Sequence, residues 1–325
     1  MRAALLIEPG RIVVDDVPMP EPQAEDVRVV VAGVGLCGSD QSVFRGTWAA
    51  PRTPWIMGHE AFGTIDAVGA RVDAARIGET VVVEPNIPCG RCPHCRRGRT
   101  SACADRQSLG MNRPGALAER LVIPSANAWR VQRTAAADLV CVEPMTVVEA
   151  ALRRLGGPFP EAALIVGTGA QGLLMSLALQ RRGIRVYAAD VSAARVAFAV
   201  ELGARPLDEA DVAHQFDLVV ETTGIPDAVA LAIARAEIGG TIVELGLDGR
   251  PFDLTAQVLV RRQLRLVGSL TYDHPIDFEA SVKLIDEGTV APGCVITDGY
   301  GLEDTQLALE RAPTARGKTW IRVSL

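Results

Sequence analysis

The chain has 325 residues, of which 48% are hydrophobic and 22% charged, and this predicts a globular protein of about two domains. The net charge of −6 argues against nucleic acid or an anionic membrane as the main partner. The first residues enter a strand pattern without the features of a signal peptide. The uncharged run 162–180 contains three glycines and two glutamines, and this composition favours a buried strand–turn–helix over a membrane span. We therefore expect a cytoplasmic protein.

Residues 1–145 are predicted to be rich in β-strands. Segments dense in β-branched residues lie at 27–34, 61–69 and 80–84, and Pro and Gly separate them. A further strand is predicted at 115–124. Many short strands with turn signals between them favour a barrel or a sandwich.

Within this half, Cys37, Asp40, His59 and Glu60 lie in one short stretch. Thiolate, imidazole and carboxylate are ligand types that zinc accepts, and a catalytic zinc needs only three protein ligands plus an open position. A core cysteine beside an ordinary Gly-His-Glu turn is the alternative interpretation of the same residues.

Four cysteines follow with spacings of two, two and seven intervening residues: Cys89, Cys92, Cys95 and Cys103. Four thiolates can converge on one tetrahedral zinc, and such a closed site is structural because no position remains for a substrate. A redox Cys-x-x-Cys loop would need only two of them. The nearby arginines would also suit a nucleic-acid-binding zinc module, but the negative net charge favours a solvated surface lobe; they are Arg91, Arg96, Arg97, Arg99 and Arg106.

Glu143 and Pro144 precede a helical pattern that begins near residue 146. An acid there usually only complements the helix dipole. It becomes a candidate metal ligand if the start of the helix faces Cys37 and His59.

A buried strand at 162–166 leads into Gly167-x-Gly169-x-x-Gly172 and an apolar helix, and Asp190 ends the next predicted strand. In this context the glycines let a pyrophosphate approach the helix N-terminus, and the acid accepts hydrogen bonds from the ribose hydroxyls of NAD. Asp190 would repel the 2′-phosphate of NADP. Arg195, further along the chain, is another candidate cofactor contact, and a helix-surface charge is the alternative interpretation.

The same α/β alternation continues to the end of the chain. Strands are predicted at 216–220, 241–245 and 264–269, and helices at 192–202, 227–236 and 278–287. This alternation predicts a doubly wound parallel sheet. A last strand at 318–324 is expected to return to the first domain.

Taken together, these motifs resemble the zinc-containing medium-chain alcohol and polyol dehydrogenases over essentially the full length. Cys37-Gly-Ser-Asp40, Gly58-His-Glu60, the cysteine lobe, Glu143-Pro144 and the glycine-rich loop carry the resemblance, and Glu143-Pro144 is typical of the sorbitol and threonine dehydrogenase branch. The resemblance implies an α/β protein with a GroES-like catalytic domain (1–145, with the zinc lobe at 89–103), a Rossmann domain (146–270), and a return to the catalytic domain (271–325).

The resemblance also implies the site. Two zinc ions per chain are expected: a catalytic zinc and a structural zinc on the four lobe cysteines. Cys37 and His59 would bind the catalytic zinc, with Glu60 as a direct or exchanging ligand and Glu143 as a ligand either directly or through water. Asp40 would orient His59. We also expect cofactor contacts at Thr222, Gly246 and Ser269.

The implied reaction oxidises a secondary alcohol to a ketone, with hydride passing to NAD and Ser39 accepting or relaying the hydroxyl proton. Ser42 stands where the family often has a relay histidine, so the usual proton exit is expected to be either missing or carried by water. The string Cys37 to Ser42 with Trp48 resembles the 2-deoxy-scyllo-inosamine dehydrogenases of aminoglycoside (antibiotic) biosynthesis, and Trp48 and Asn112 are candidate substrate contacts.

Threonine, butanediol or another secondary alcohol is the alternative substrate, and a non-catalytic zinc-lobe binding protein is the alternative of a different class. We expect a small-molecule alcohol as partner, no nucleic acid or membrane, and a homodimer or homotetramer. Cys141 and Cys294 are expected to be small buried hydrophobic residues, and His94, His214 and His274 to lie at the surface.

Overall fold

The computed structural model describes residues 1–132, 135–209 and 215–324. The chain forms two compact units: Met1–Thr146 together with Asp273–Leu325, and Val147–Tyr272. His214 lies outside the described residues.

The first unit begins with these elements: β1 (Arg2–Glu8), β2 (Arg11–Asp16), β3 (Asp26–Gly35), α1 (Gly38–Phe44), β4 (Trp55–Ile56), β5 (Glu60–Val68), β6 (Thr80–Val83), β7 (Asn86–Ile87), α2 (Pro93–Arg96), β8 (Gln107–Ser108), β9 (Arg120–Pro124), β10 (Ala128–Arg130) and α3 (Ala136–Leu139).

Helix α4 (Val142–Leu155) starts in the first unit and continues into the second. The second unit then contains β11 (Ala162–Val166), α5 (Ala170–Arg181), β12 (Arg185–Ala189), α6 (Ala193–Glu201), β13 (Arg205–Pro206), β14 (Phe216–Glu221), α7 (Pro226–Arg235), β15 (Ala236–Glu244), α8 (Ala256–Arg261) and β16 (Arg265–Gly268). The first unit resumes with α9 (Ile276–Asp286), β17 (Ile296–Gly301), α10 (Thr305–Arg311) and β18 (Lys318–Arg322).

A seven-stranded sheet is the centre of the first unit. Its order is β10-β6-β5-β3-β18-β17, and β9 also pairs with β3. Strand β3 buries Val27, Val29 and Val31 completely on the core face, as the period of two along a strand requires. The last strand, β18, pairs antiparallel with β3, and this pairing brings the end of the chain beside the Cys37 segment.

The second unit is a six-stranded parallel sheet of order β13-β12-β11-β14-β15-β16. In chain order this is the 3-2-1-4-5-6 arrangement of dinucleotide-binding folds. The central strand β11 is fully buried from Ala163 to Ile165, because helices cover both faces of such a sheet. The predicted β-rich first domain and the predicted doubly wound parallel sheet are confirmed.

Two local predictions were wrong. Helix α4 begins at Val142, so Glu143 lies inside its first turn and not before it; Pro144 is tolerated there because the first N–H groups of a helix have no intrahelical acceptor. The strand predicted from residue 115 begins only at Arg120, because the backbone of 115–117 bonds instead to residues 56–58. Among the described residues, no helix has both the length and the apolar character needed to cross a membrane.

Candidate active site and metal centre

The N-cap of α1 and the start of β5 bring Cys37, His59 and Glu60 together. One ligand atom from each of these residues lies within 4.8 Å of the other two. His59 and Glu60 are buried and Cys37 is partly buried. Sulfur, nitrogen and oxygen donors at this spacing fit a zinc site with a fourth position open.

Asp40 connects the two segments. Its side chain is completely buried, and it accepts hydrogen bonds from Cys37 N at 3.0 Å and from Gly58 N at 3.2 Å. Its Oδ1 lies 3.4 Å from His59 Nδ1. Burial alone would raise the pKa of Asp40, but His59 and the two backbone donors outweigh burial and lower it.

The same contact orients His59. Burial lowers the pKa of His59, but Asp40 outweighs burial and raises it well above its usual value. With Nδ1 facing Asp40, Nε2 is the nitrogen left for a ligand, and Ser39 Oγ lies 3.5 Å from it. A carboxylate behind a histidine is the usual way to orient a metal-binding imidazole.

Glu60 has a buried partner that the sequence patterns did not indicate. Its carboxylate forms an ion pair with Lys318 of β18, and both side chains are 1% exposed. Lys318 Nζ also donates to the carbonyl of Leu36 at 3.2 Å. Burial lowers the pKa of Lys318, but Glu60 and the neighbouring thiols outweigh it and raise the pKa. A Cβ on Gly35 would lie 2.1 Å from Glu60 Oε2, so the glycine makes room for this carboxylate.

The structure does not bring the other predicted members of this site into the cluster. Glu143 is buried in the first turn of α4, outside the group of three ligands. Ser42 Oγ donates to Gly38 O at 3.2 Å. Trp48 is 39% exposed. The amide of Asn112 is engaged within its own loop, with Oδ1 accepting from Ser108 N and Nδ2 donating to Arg106 O.

The four lobe cysteines also converge. All four sulfur atoms lie within 4.8 Å of one another, with Sγ–Sγ distances of 3.5 Å for Cys92–Cys95 and 4.0 Å for Cys89–Cys95. Sulfurs at the corners of a tetrahedron around zinc are about 3.8 Å apart, so the cage fits the ion. The N–H groups of Arg91 and Cys92 lower the pKa of Cys89 to about 7, which favours the thiolate.

The lobe is joined to the segment that returns from the second unit. Ser101 N donates to Asp273 Oδ1 at 2.8 Å, and His274 N donates to Thr100 Oγ1 at 2.6 Å. The ring Nδ1 of His274 lies 2.8 Å from Glu84 Oε2. His274 was expected at the surface, but its side chain is only 23% exposed because it pairs with the buried carboxylate of Glu84.

The remaining cysteines and His94 differ in exposure. Cys141 is completely buried, as expected, whereas Cys294 is exposed, contrary to the prediction, because it lies in a short 3-10 turn before β17. His94 is partly buried in α2.

In the second unit, the three glycines of the glycine-rich loop differ in how much space surrounds them. Gly167 has φ 90°, and a Cβ there would lie 2.4 Å from Thr223 Cγ2. A Cβ on Gly172 would lie 1.9 Å from Gly167 O, so this glycine permits close packing of helix and strand. No described atom lies within 4 Å of a Cβ built on Gly169, which leaves the backbone open to a phosphate at the start of α5.

Asp190 is held at the end of β12. Its Oδ2 accepts from Thr168 N at 2.8 Å and its Oδ1 from Ser192 N at 2.9 Å. These donors orient the carboxylate beside the glycine-rich loop. Arg195 is partly buried in the first turn of α6.

The other predicted cofactor residues line the same carboxyl edge of the parallel sheet. Thr222 Oγ1 donates to Gly167 O at 2.8 Å. Gly246 packs against Gly224, and Ser269 N donates to Glu244 O at 3.0 Å. Ligands of open α/β sheets bind at this edge.

Comparison with known proteins agrees with both units. Residues 23–133 match the family described as "Alcohol dehydrogenase GroES-like domain", and residues 171–287 match "Zinc-binding dehydrogenase". D-altritol 5-dehydrogenase of Agrobacterium fabrum is 33% identical over 286 residues, covering 83% of this chain and 84% of that protein.

Two solved structures show the same fold. The alcohol dehydrogenase RspB of Escherichia coli CFT073, complexed with NADH, has a TM-score of 0.89 at 27% identity and covers 99% of both chains. A zinc-binding dehydrogenase of Sinorhizobium meliloti 1021, bound to NADP, has a TM-score of 0.90 at 26% identity and covers 99% of this chain and 98% of that one. The chain belongs to the zinc-containing medium-chain alcohol and polyol dehydrogenase family, whose members are oxidoreductases.

Proposed function

We propose that the protein oxidises a secondary alcohol of a polyol, sugar or cyclitol to a ketone, with hydride transfer to NAD. The observation that carries this proposal is the convergence of Cys37, His59 and Glu60, with Asp40 behind the imidazole. The relative D-altritol 5-dehydrogenase is named for a polyol substrate.

In this proposal Cys37, His59 and Glu60 hold the catalytic zinc, and the lobe cysteines hold a structural zinc. A zinc ion at the first site would supply Lewis acidity that lowers the pKa of the substrate hydroxyl. Since Lys318 engages one oxygen of Glu60, the other oxygen is the one available to a metal. Glu143 remains a proposed ligand from the first turn of α4.

Ser39 is the proposed proton acceptor of the site. Its hydroxyl lies close to His59 Nε2, at the side of the ring that Asp40 leaves available. Because Ser42 Oγ bonds to the helix backbone, a proton leaving Ser39 passes to water and not along α1.

NAD is proposed over NADP on the position of Asp190. Its ordered carboxylate suits the ribose hydroxyls, which donate hydrogen bonds, and repels a 2′-phosphate. NADH- and NADP-bound relatives share the fold, so this residue and not the fold supports the choice.

The finer substrate proposal is an aminocyclitol, 2-deoxy-scyllo-inosamine, which would place the enzyme in antibiotic biosynthesis. It rests on the sequence from Cys37 to Ser42 and on Trp48, whose partly exposed ring is available to a ligand. A homodimer or homotetramer is also proposed, and light scattering of the purified protein tests it.

The test is formation of NADH from NAD, or of NADPH from NADP, across an alcohol panel: 2-deoxy-scyllo-inosamine, another cyclitol, sorbitol, threonine and 2,3-butanediol. We expect turnover of at least one secondary alcohol and a preference for NAD. Turnover of sorbitol or threonine alone would retain the reaction and reject the aminocyclitol. No turnover of any alcohol, with both metals bound, would reject the reaction.

A further inference from the structure

The carboxyl edge of the parallel sheet contains two adjacent carboxyl groups that the reaction does not use. Glu221 ends β14 and Glu244 ends β15, and they are register partners. The register partners across the sheet form one row, and in that row the residues on either side of the pair are Val166 on β11 and Gly268 on β16. Side chains of one row point to the same face of a sheet, so the two carboxyl groups meet with no charged residue beside them in that row.

Glu221 is the acceptor of the pair. It is completely buried, and its oxygens accept from Thr223 N at 2.8 Å, Thr223 Oγ1 at 2.5 Å and Gly224 N at 2.6 Å. Three donors are thus directed at the oxygens of this one carboxyl group, which makes Glu221 the hydrogen-bond acceptor of the pair.

Glu244 is the unusual member. Both of its carboxyl oxygens are buried, and neither has a donor among the described residues. Burial, followed by the hydrogen bond and the charge of Glu221, raises the pKa of Glu244 to about 9. Near neutral pH Glu244 is therefore a carboxylic acid, and its hydroxyl is the group that can donate to Glu221.

These two strand ends pack against the glycine-rich loop with little space between backbones. A Cβ on Gly246 would lie 1.8 Å from Gly224 N, and Thr222 Oγ1 donates to Gly167 O at 2.8 Å. A second negative charge at Glu244 would repel Glu221 and separate these turns. The displacement would reach Gly167 through Thr222.

We propose that Glu244 is a positioning residue for the dinucleotide: as a neutral acid it donates to Glu221 and keeps the 221–224 turn closed on the glycine-rich loop. The inference rests on the proposed dinucleotide site. The affinity for the dinucleotide should therefore fall at alkaline pH, when Glu244 loses the proton that it donates to Glu221.

The other nearby charges are already engaged. Arg154 of α4 donates to Ser269 Oγ and to the carbonyls of Leu270 and Thr271. Asp248 pairs with Arg250 at 2.6 Å. Among the described residues, Glu221 is the charged group that acts on the carboxyl of Glu244.

The test is the dissociation constant of NADH from the intact protein, measured by nucleotide fluorescence from about pH 7 to about pH 10. Above the pKa of Glu244, the affinity of the wild type for NADH should fall with pH. The decrease should approach about tenfold per pH unit, which is the slope for one linked proton. Glu244→Gln is neutral and can still donate to Glu221, so it should bind like the wild type at neutral pH and lose the alkaline weakening. Asp217→Asn, which removes an exposed acid from the same strand as Glu221, should keep the wild-type profile.

Glu244→Leu is a second uncharged variant if Glu244→Gln folds poorly. Because leucine cannot donate to Glu221, this variant should bind NADH less tightly than the wild type at neutral pH, and it too should show no alkaline weakening. An unchanged wild-type affinity up to about pH 10, or the same alkaline loss in an uncharged variant, would overturn the inference. A wild type that binds no NADH at neutral pH would instead reject the proposed dinucleotide site itself, so the two failures are distinguishable.

Discussion

Lys318 and Glu60 form an ion pair in which each side chain is only 1% exposed, and Glu60 is also one of three converging candidate ligands. The last strand of the chain thus contributes the partner of a carboxylate at the candidate active site. Lys318 also donates to Leu36 O, next to Cys37. One buried ammonium therefore contacts both segments that supply the ligands.

Replacement of this lysine should be costly. Lys318→Met leaves the buried carboxylate of Glu60 unpaired, and removal of one partner of a buried pair costs about 3–5 kcal/mol. Urea unfolding at neutral pH measures the loss. Lys283→Met removes an exposed lysine, 72% accessible, and is the matched control. A loss below about 1 kcal/mol for Lys318→Met would mean that the pair contributes no more than a surface ion pair.

The cofactor preference should depend on Asp190. Asp190→Asn keeps an oxygen for Thr168 N but removes the charge, so NADH binding should weaken by about 10- to 100-fold, the worth of a hydrogen bond to a charged group. Discrimination against NADPH should fall as well. Titration with both nucleotides measures this, with the exposed Asp253→Asn as control. An unchanged NADH-to-NADPH ratio would remove Asp190 from the specificity argument.

The zinc lobe should support the segment that returns to the first unit. Cys92→Ser opens the cysteine cage, so the bonds from Ser101 N to Asp273 and from His274 N to Thr100 should loosen. Hydrogen–deuterium exchange should then rise in residues 86–107 and in 273–275. Cys294→Ser alters an exposed cysteine and should leave both segments protected. Faster exchange confined to the lobe would show that the two segments are independent.

Stability in acid should depend in part on Asp66. Its two oxygens each accept from an arginine, Arg28 Nε and Arg120 Nε, at 2.8 Å. Partial burial raises the pKa of Asp66, but the arginines outweigh it and lower the pKa. A lowered pKa gives stability that is complete above the unfolded value, about 3.9, and is lost as pH falls through the folded value.

The wild type should therefore exceed Asp66→Asn in stability at neutral pH by up to about 1 kcal/mol, since the group is partly exposed to solvent. The difference should shrink below about pH 4. Unfolding curves of both proteins at several pH values measure it. A constant difference across that range would show that the arginines do not act through the charge of Asp66.

Local motifs in the sequence were enough to indicate the fold and most of the site. The spacing of the glycines with Asp190, and of the four cysteines, predicted contacts between residues close in the chain, and those residues lie together in the structure. Cys37 and His59 are also near in sequence, and Asp40 joins their two segments.

Contacts between residues far apart in the sequence could not be predicted from such motifs, because they depend on the order of the strands in the sheets. Lys318 reaches Glu60 because β18 pairs with β3 beside β5, and Glu221 meets Glu244 because β14 and β15 are parallel neighbours. His274 meets Glu84 from a distant part of the chain. A lysine or glutamate inside a predicted strand was the available signal, since a charged residue there is usually buried only with a partner.

The central claim is that Cys37 and the lobe cysteines belong to two separate zinc sites, of which only the first supports the reaction. Zinc content, NADH binding and alcohol-dependent NADH formation should be measured together on the wild type, Cys37→Ser and Cys92→Ser. We predict two zinc ions in the wild type and one in each variant, with Cys37→Ser losing turnover while it still binds NADH. One zinc ion in the wild type, or full turnover by Cys37→Ser, would contradict the account.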